Sequence, residues 1–196
     1  DFISLIFPKL CYACGQPLVS QEHITCVSCE YQLPYTNFHL DKDNKLARQF
    51  WGRVQLTSAG AYLYFKKSGR VQNLMHQLKY LNHPEVGVEL GRRYGNVLKK
   101  AEIYQQIEVI VPVPIHQKKR LQRGYNQSEK IAEGLAQSML IPTGFNILER
   151  THQRESQTKT ERKMRFENTE TAFKIGQPHT FKEVLLVDDT ITIDVN

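Results

Sequence analysis

Two groups of residues in this 196-residue chain have the types and the spacing to do chemistry. The first is Cys11-Tyr-Ala-Cys14 and Cys26-Val-Ser-Cys29, with eleven residues between the pairs. A short CxxC knuckle can turn two thiolates towards one ion, so the two knuckles together suit a closed tetrahedral zinc site. Four thiolates leave no open coordination position, and the expected zinc is therefore structural. It would fasten a small N-terminal module that has no core of its own. Gly15, directly after Cys14, can supply the positive φ that such a knuckle often needs. Two disulfides or four ordinary thiols are the alternative, and a reducing compartment disfavours the disulfides. His23 and His39 lie nearby and are expected at the surface, because the cysteines alone complete a shell.

The second group is Asp188-Asp189 followed by Thr190 and Thr192, placed directly after the apolar run Val184-Leu-Leu-Val187. Two carboxylates at the carboxyl end of a buried strand repel each other, and a cation or a pair of ligand hydroxyls would relieve that repulsion. A ribose cis-diol with Mg²⁺ supplies both. The plainer alternative is a strand-end turn in which an Asp caps a helix.

The elements that must position these groups follow from periodicity. Residues 41–57 are polar and then aromatic and read as a linker docking through Phe50 and Trp51. Ala59 to Phe65 has the aromatic content of a strand. Val71, Leu74, Met75, Leu78 and Leu81 recur at helical spacing, and a second helical stretch runs from Pro84 to Lys100. Gln106 to Pro112 reads as a buried strand closed by Pro112 and Pro114, Ser128 to Met139 as a helix, and Phe145 to Leu148 and Val184 to Val187 as further strands. Strands alternating with helices imply an α/β fold, a parallel sheet covered on both faces, with ligands at the carboxyl ends of its strands.

Composition narrows the class. With 40% hydrophobic and 23% charged residues the chain is globular, which excludes disorder, collagen and a bare coiled coil. Its formal charge of +6 favours anionic partners. Between Gln117 and Arg165, eleven Lys or Arg face five Glu, so this span alone carries an excess equal to that of the whole chain. Such a run is usually a solvated helix face, but both of its ends lie near predicted strand ends. No apolar run approaches the roughly 20 residues of a membrane helix, and Asp1 to Phe7 lacks a secretory signal's basic start. A cytoplasmic protein without membrane insertion is expected. The chain lacks an initial Met and stops soon after the last strand, so its C-terminal part is expected to be missing.

The acidic segment resembles the ribose-phosphate signature of type I phosphoribosyltransferases. Three further blocks resemble the ComF/GntX-like family of competence-associated phosphoribosyltransferase homologues. They are Leu78-Lys79-Tyr80; Val111-Pro-Val-Pro-Ile-His116 leading to Arg123-Gly-Tyr-Asn-Gln-Ser128; and Arg150 to Gln157 with Arg165, Asn168 and Ala172-Phe173. The block order is similar over nearly the whole chain, and family members carry a four-cysteine zinc module ahead of the transferase-like domain. The resemblance thus implies a zinc-binding module over 1–40, a linker over 41–57, and an incomplete phosphoribosyltransferase-like domain over 58–196, with a parallel sheet flanked by helices. Two positions depart from the pattern. Arg154 replaces a usual Thr, and Ile193-Asp194-Val195-Asn196 stands where the signature has Thr-Gly-Ala-Thr, which brings a negative charge towards a phosphate cradle.

By resemblance, the ligand is 5-phosphoribosyl-1-pyrophosphate (PRPP) with Mg²⁺. Asp188 and Asp189 would hold the ribose diol and help place the cation, and Thr190 and Thr192 would donate to the 5-phosphate. The turn Pro114-Ile115-His116 would meet the diphosphate with backbone N–H groups. Arg123, Gly124, Asn126 and Gln127 form the more specific part of that block; Arg123 offers a planar fork to phosphate, or alternatively a surface salt bridge to Glu129. Arg150, Arg162, Lys163 and Arg165 would lie on or beside a loop covering the diphosphate. His116 is a candidate general base, though a lone His after a Pro turn is more often structural. A Lys79-Tyr80 pair ending a helix is usually a cap and a packing ring. The implied function is a PRPP-binding transferase-type protein connected with DNA uptake and natural competence, partnered by phosphorylated ribose, single-stranded DNA and competence proteins. The alternative is a non-enzymatic single-stranded-DNA-binding competence factor that keeps the fold without transferase activity.

Overall fold

The computed structural model describes residues 7–151 and 172–192. Helix α1 (Val27–Tyr31) belongs to the cysteine segment. Two short 3-10 turns, Phe38–Leu40 and Ala47–Phe50, lead to α2 (Arg70–Tyr80) and α3 (Pro84–Leu98). Pro84 opens α3, where its fixed φ and missing N–H cost nothing. Strand β1 (Val109–Pro112), α4 (Gln117–Arg123) and α5 (Gln127–Met139) follow, and then β2 (Leu148–Arg150), β3 (Phe173–Ile175) and β4 (Val184–Val187).

β1 and β4 pair in parallel, from Val109 opposite Val184 to Pro112 opposite Val187. The ladder runs on through Glu108 N–H to the Glu183 carbonyl and Val113 N–H to the Val187 carbonyl. On the other side of β1, Ile110 donates to the Pro142 carbonyl and accepts from Gly144 N–H, with Thr143 as a parallel bridge partner. The chain is thus mixed α/β with a parallel sheet.

Several sequence expectations need correction. β1 is buried on both faces, but in β4 Val184 and Leu186 are 40% and 59% exposed, so among the described residues helices cover one face of that strand and not both. β2 begins at Leu148, where the predicted 145–148 strand ends, and pairs antiparallel with β3 in a separate two-stranded sheet. Ala59 to Phe65 is not a strand. Its ladder is one bridge, Tyr35 to Leu63, flanked by Thr36 N–H to the Tyr62 carbonyl and Tyr64 N–H to the Pro34 carbonyl. The 41–57 stretch docks through Asn44, Leu46 and Ala47, while Trp51 is 61% exposed. Asn44 closes it: its amide donates to the carbonyls of Phe38, Asp41 and Ala59, and its oxygen accepts from the N–H groups of Leu46 and Ala47.

Two apolar clusters hold the molecule. In the first, Cys11, Ala13, Ile24, Cys29 and Leu33 of the cysteine segment pack with Val71, Leu74 and Leu78 of α2, Val86 and Leu90 of α3, and Tyr125. In the second, Leu98, Tyr104, Ile110, Ala132, Leu135 and Val187 join α3, α5 and the sheet. α3 and α5 approach backbone to backbone. A Cβ on Gly91 would lie 2.1 Å from the Ile131 carbonyl oxygen, and one on Gly134 would lie 1.9 Å from that of Val88. The Gly87-Gly91-Gly95 stripe of α3 is therefore the groove into which α5 fits.

Candidate functional site

Cys11, Cys14, Cys26 and Cys29 converge as their spacing predicts, with all four Sγ atoms within 4.8 Å of one another. The first knuckle is a turn in which Gly15, at φ +78°, donates to the Cys11 carbonyl. Cys26 N–H donates to Cys11 Sγ at 3.3 Å, and Arg70 Nε donates to Cys29 Sγ at 3.3 Å. Burial pushes the Cys11 thiol up, but the N–H groups of Cys26, Ala13 and Cys14 together outweigh it and bring it down to about 7. Burial pushes Cys29 up to about 12, against the opposing Arg70 contact. A soft cation resolves that conflict, since bound thiolates lose their protons to it. This donor set can hold a metal such as zinc. His23 is exposed and His39 half-buried, and neither belongs to the cluster.

The acidic pair sits where the parallel ladder ends. Asp188 Oδ1 accepts from Asp189 N–H at 2.8 Å and from Ser128 Oγ at 2.9 Å. Lys79 Nζ lies 2.6 Å from Asp189 Oδ2 and donates to Thr190 Oγ1 at 3.1 Å. Like-charge repulsion between the two aspartates is thus offset by a hydroxyl donor from the first turn of α5 and an ammonium from the last turn of α2. Lys79 does more than cap a helix, and Ser128 joins the site without having been singled out in the sequence. Its signal was the N-cap pattern: Asn126 caps α5 by accepting from Ser128 N–H, which fixes Ser128 in the first turn.

The 123–127 block leads directly into Ser128. Asn126 is 1% exposed and ties its amide to the Val113 carbonyl at the end of β1. Arg123 donates to Gln127 Oε1 at 2.9 Å, and its guanidinium lies over the Tyr80 ring at 5.5 Å. The ion pair with Glu129 belongs to Arg120, at 2.6 Å, so the salt bridge considered for Arg123 is not formed. Gln127 is buried, and its Nε2 has no acceptor among the described residues. Gly124, at φ +80°, ends α4 in the left-handed region that favours glycine.

In the 114–116 turn Pro114 has no N–H to offer. The N–H groups of Ile115 and His116 take no backbone acceptor among the described residues. His116 Nδ1 accepts from Lys118 N–H and caps α4, the structural role weighed against general base. Thr192 is exposed. Arg150 lies in β2 with its guanidinium over Phe173 at 5.3 Å. Arg162, Lys163 and Arg165, like the departures at Arg154 and Asp194, lie outside the described residues.

A second surface was not legible as a site. Trp51 stands exposed with the Arg48 guanidinium 5.8 Å from its ring, and Lys45 Nζ lies 4.7 Å from the Tyr64 ring. Phe50, Trp51, Arg53, Val54 and Lys42 line an open groove of about 490 Å³, and Phe65, 56% exposed, is followed by Lys66 and Lys67. The alternation of rings and cations is visible in the sequence, but reading the stretch as a linker hid it. No helix among the described residues is long and apolar enough to cross a membrane.

Comparison with known proteins gives end-to-end likeness. The chain is 25% identical over 204 residues to DNA utilization protein YhgH of Escherichia coli K12, covering 96% of this chain and 87% of that protein. It is 26% identical over 189 residues to competence protein F of Haemophilus influenzae Rd, covering 93% and 78%. No protein-family model matches the chain, and no solved structure matches it. Likeness spread over nearly the full length, to proteins named for competence and DNA utilization, supports the resemblance to the ComF-like family.

Proposed function

We propose that the chain binds a phosphorylated ribose of the PRPP type, with Mg²⁺, at the carboxyl ends of β1 and β4, and that it serves DNA uptake. One observation carries the reading. Asp188 meets Ser128 in the first turn of α5 and Asp189 meets Lys79 at the end of a parallel ladder, the place where open α/β sheets bind ligands. The carboxylates suit a ribose diol, the N–H groups of Ile115 and His116, which take no backbone acceptor among the described residues, suit a diphosphate, and Arg123 brings a planar cation. Asp188 and Asp189 are also the residues that would help hold Mg²⁺, which when bound neutralises diphosphate charge. Phosphoribosyl transfer would follow from such positioning if a nucleophile attacked the anomeric carbon as the C1–O bond broke and pyrophosphate left. The relatives' names point the same way for the process, since they speak of competence and DNA utilization. Calorimetric titration with Mg-PRPP tests the reading. Saturable binding to the zinc-loaded chain, abolished in Asp188→Asn/Asp189→Asn, is expected; a folded chain that shows no binding overturns it.

A second reading is direct binding of single-stranded DNA, and the exposed ring-and-cation surface at Trp51 favours it. Bases stack on open rings while lysine and arginine meet phosphates, and one stacked base contributes roughly 1–3 kcal/mol. Fluorescence anisotropy with a labelled oligonucleotide should show Trp51→Ala weakening binding at least about fivefold. Unchanged affinity would remove this surface from consideration.

A further inference from the structure

We infer that Lys79 is a positioning residue for Asp189, and that helix α2 makes its placement depend on the four-cysteine cluster. The inference deepens the ribose-site reading and rests on it for its functional meaning. The geometry behind it is independent of any ligand.

α2 spans eleven residues, about 16 Å along its axis. Its N-cap is Gly69, which has no side chain to satisfy the first N–H groups, so that end needs other anchors. The cysteine segment supplies them. Arg70 Nε donates to Cys29 Sγ at 3.3 Å, and Asn73 Nδ2 donates to the Ala13 carbonyl at 2.8 Å, inside the first knuckle. Leu74 and Leu78, each fully buried, continue the contact by packing in one cluster with Cys11, Ala13 and Cys29.

The far end of the helix meets the acidic site. The Leu78 carbonyl accepts from Tyr125 Oη at 2.6 Å, Lys79 reaches Asp189 and Thr190, and Tyr80 lies under Arg123. A helix is stiff along its axis, so the residues that fix its first turn also fix where its last turn delivers an ammonium. The thiolate that receives Arg70 is one of the four able to bind the metal, and the carbonyl that receives Asn73 lies between two others. Folding of such a knuckle depends on its metal. Loss of the metal removes both anchors of the N-terminal turn, and Lys79 is then held through its helix's C-terminal contacts and the packing of α2 on α3. The zinc would thereby set geometry at a site to which it contributes no ligand.

Hydrogen exchange measured by mass spectrometry on the full chain, without ligand, tests this, so a failure to bind PRPP would not affect the result. Lys79→Met should speed exchange in peptides covering 184–190 about tenfold while 70–80 stays protected, and Lys79→Arg should restore protection. Arg70→Met/Asn73→Ala, with zinc content verified as unchanged, should speed exchange over 70–80 and over 184–190 together. Chelation should do the same while 127–139 remains protected. If chelation opens the whole chain, the zinc-retaining double variant decides. Opening confined to 7–35 on chelation, a double variant with wild-type exchange over 184–190, or a Lys79→Met chain unchanged there would each overturn the inference.

Discussion

Gly91→Ala tests the contact on which the position of α5 depends. In an isolated helix this substitution stabilises by up to about 1 kcal/mol, because alanine loses less backbone entropy on folding. Here the new Cβ would lie 2.1 Å from the Ile131 carbonyl oxygen, 3.0 Å from its carbon and 3.1 Å from Leu135 N. All three are backbone atoms, so no side chain can rotate away. Restoring even a 3.0 Å contact to that oxygen requires α3 and α5 to part by roughly 0.9 Å, and Gly87, Gly95 and Gly134 sit in the same seam. Overpacking of this kind costs about 1–3 kcal/mol, to which lost contacts around Ala132 and Leu135 add. The net expectation is a loss of about 2 kcal/mol, seen as a fall of roughly 4–8 °C in Tm by circular dichroism. The separation would also move Ser128 away from Asp188, so Mg-PRPP affinity should fall with stability. A Tm equal to or above that of the wild type would show that helix propensity, not packing, governs the position, and would refute the close-packed seam.

Two other expectations concern the metal and the acid limb of stability. The purified chain should carry one zinc, and Cys29→Ser should lose it and lower Tm, as metal analysis beside thermal unfolding would show; a variant with full zinc content would remove Cys29 from the ligand set. Glu89 is pushed up by burial, but hydrogen bonds and charge from Arg92 and Arg93 outweigh this and hold its carboxyl below the ordinary value of 4.5. Its contribution is therefore present above the unfolded pKa and lost as pH falls through the lower folded pKa. Glu89→Gln should lower Tm at pH 7, with the gap closing from about pH 4.5 downward. A gap independent of pH would assign the effect to packing.

How far the sequence could be read depended on the range of each interaction. Local features were legible: the knuckles, whose four ligands come from two short turns, and the β4 run ending in Asp188-Asp189, because a strand and its terminal carboxylates need no distant partner to be seen. The helical spacing of Val71, Leu74 and Leu78 likewise gave α2, yet it said only which side of α2 is apolar. It could not say that this side packs on Cys11 and Ala13, some sixty residues earlier, because periodicity marks a buried stripe and not its partner. The 59–65 stretch shows the opposite failure. Its aromatic residues satisfy strand propensity, but Tyr62 stacks on Tyr94 and the backbone pairs with residues 34–36 through a single bridge, so tertiary packing uses rings that sequence assigned to a ladder.

Lys79 shows how a long-range contact escapes a local pattern. An ammonium at the end of a helix is ordinarily a favourable dipole contact, worth a few tenths of a kcal/mol to about one. Asp189 lies 110 residues away in sequence and 2.6 Å away in space, an approach that no local pattern encodes. With Ser128 donating to Asp188 and Lys79 paired with Asp189, the carboxylates are compensated before any ligand arrives. In the proposed reading, a ligand-bound Mg²⁺ that approached Asp189 would have to displace or share Lys79. An ammonium released from Asp189 would then be available to a phosphate group on the same ligand. The proposed ligand, which carries both a cation and phosphates, would engage Asp189 and the released ammonium together, whereas either component alone would leave one of them unmatched.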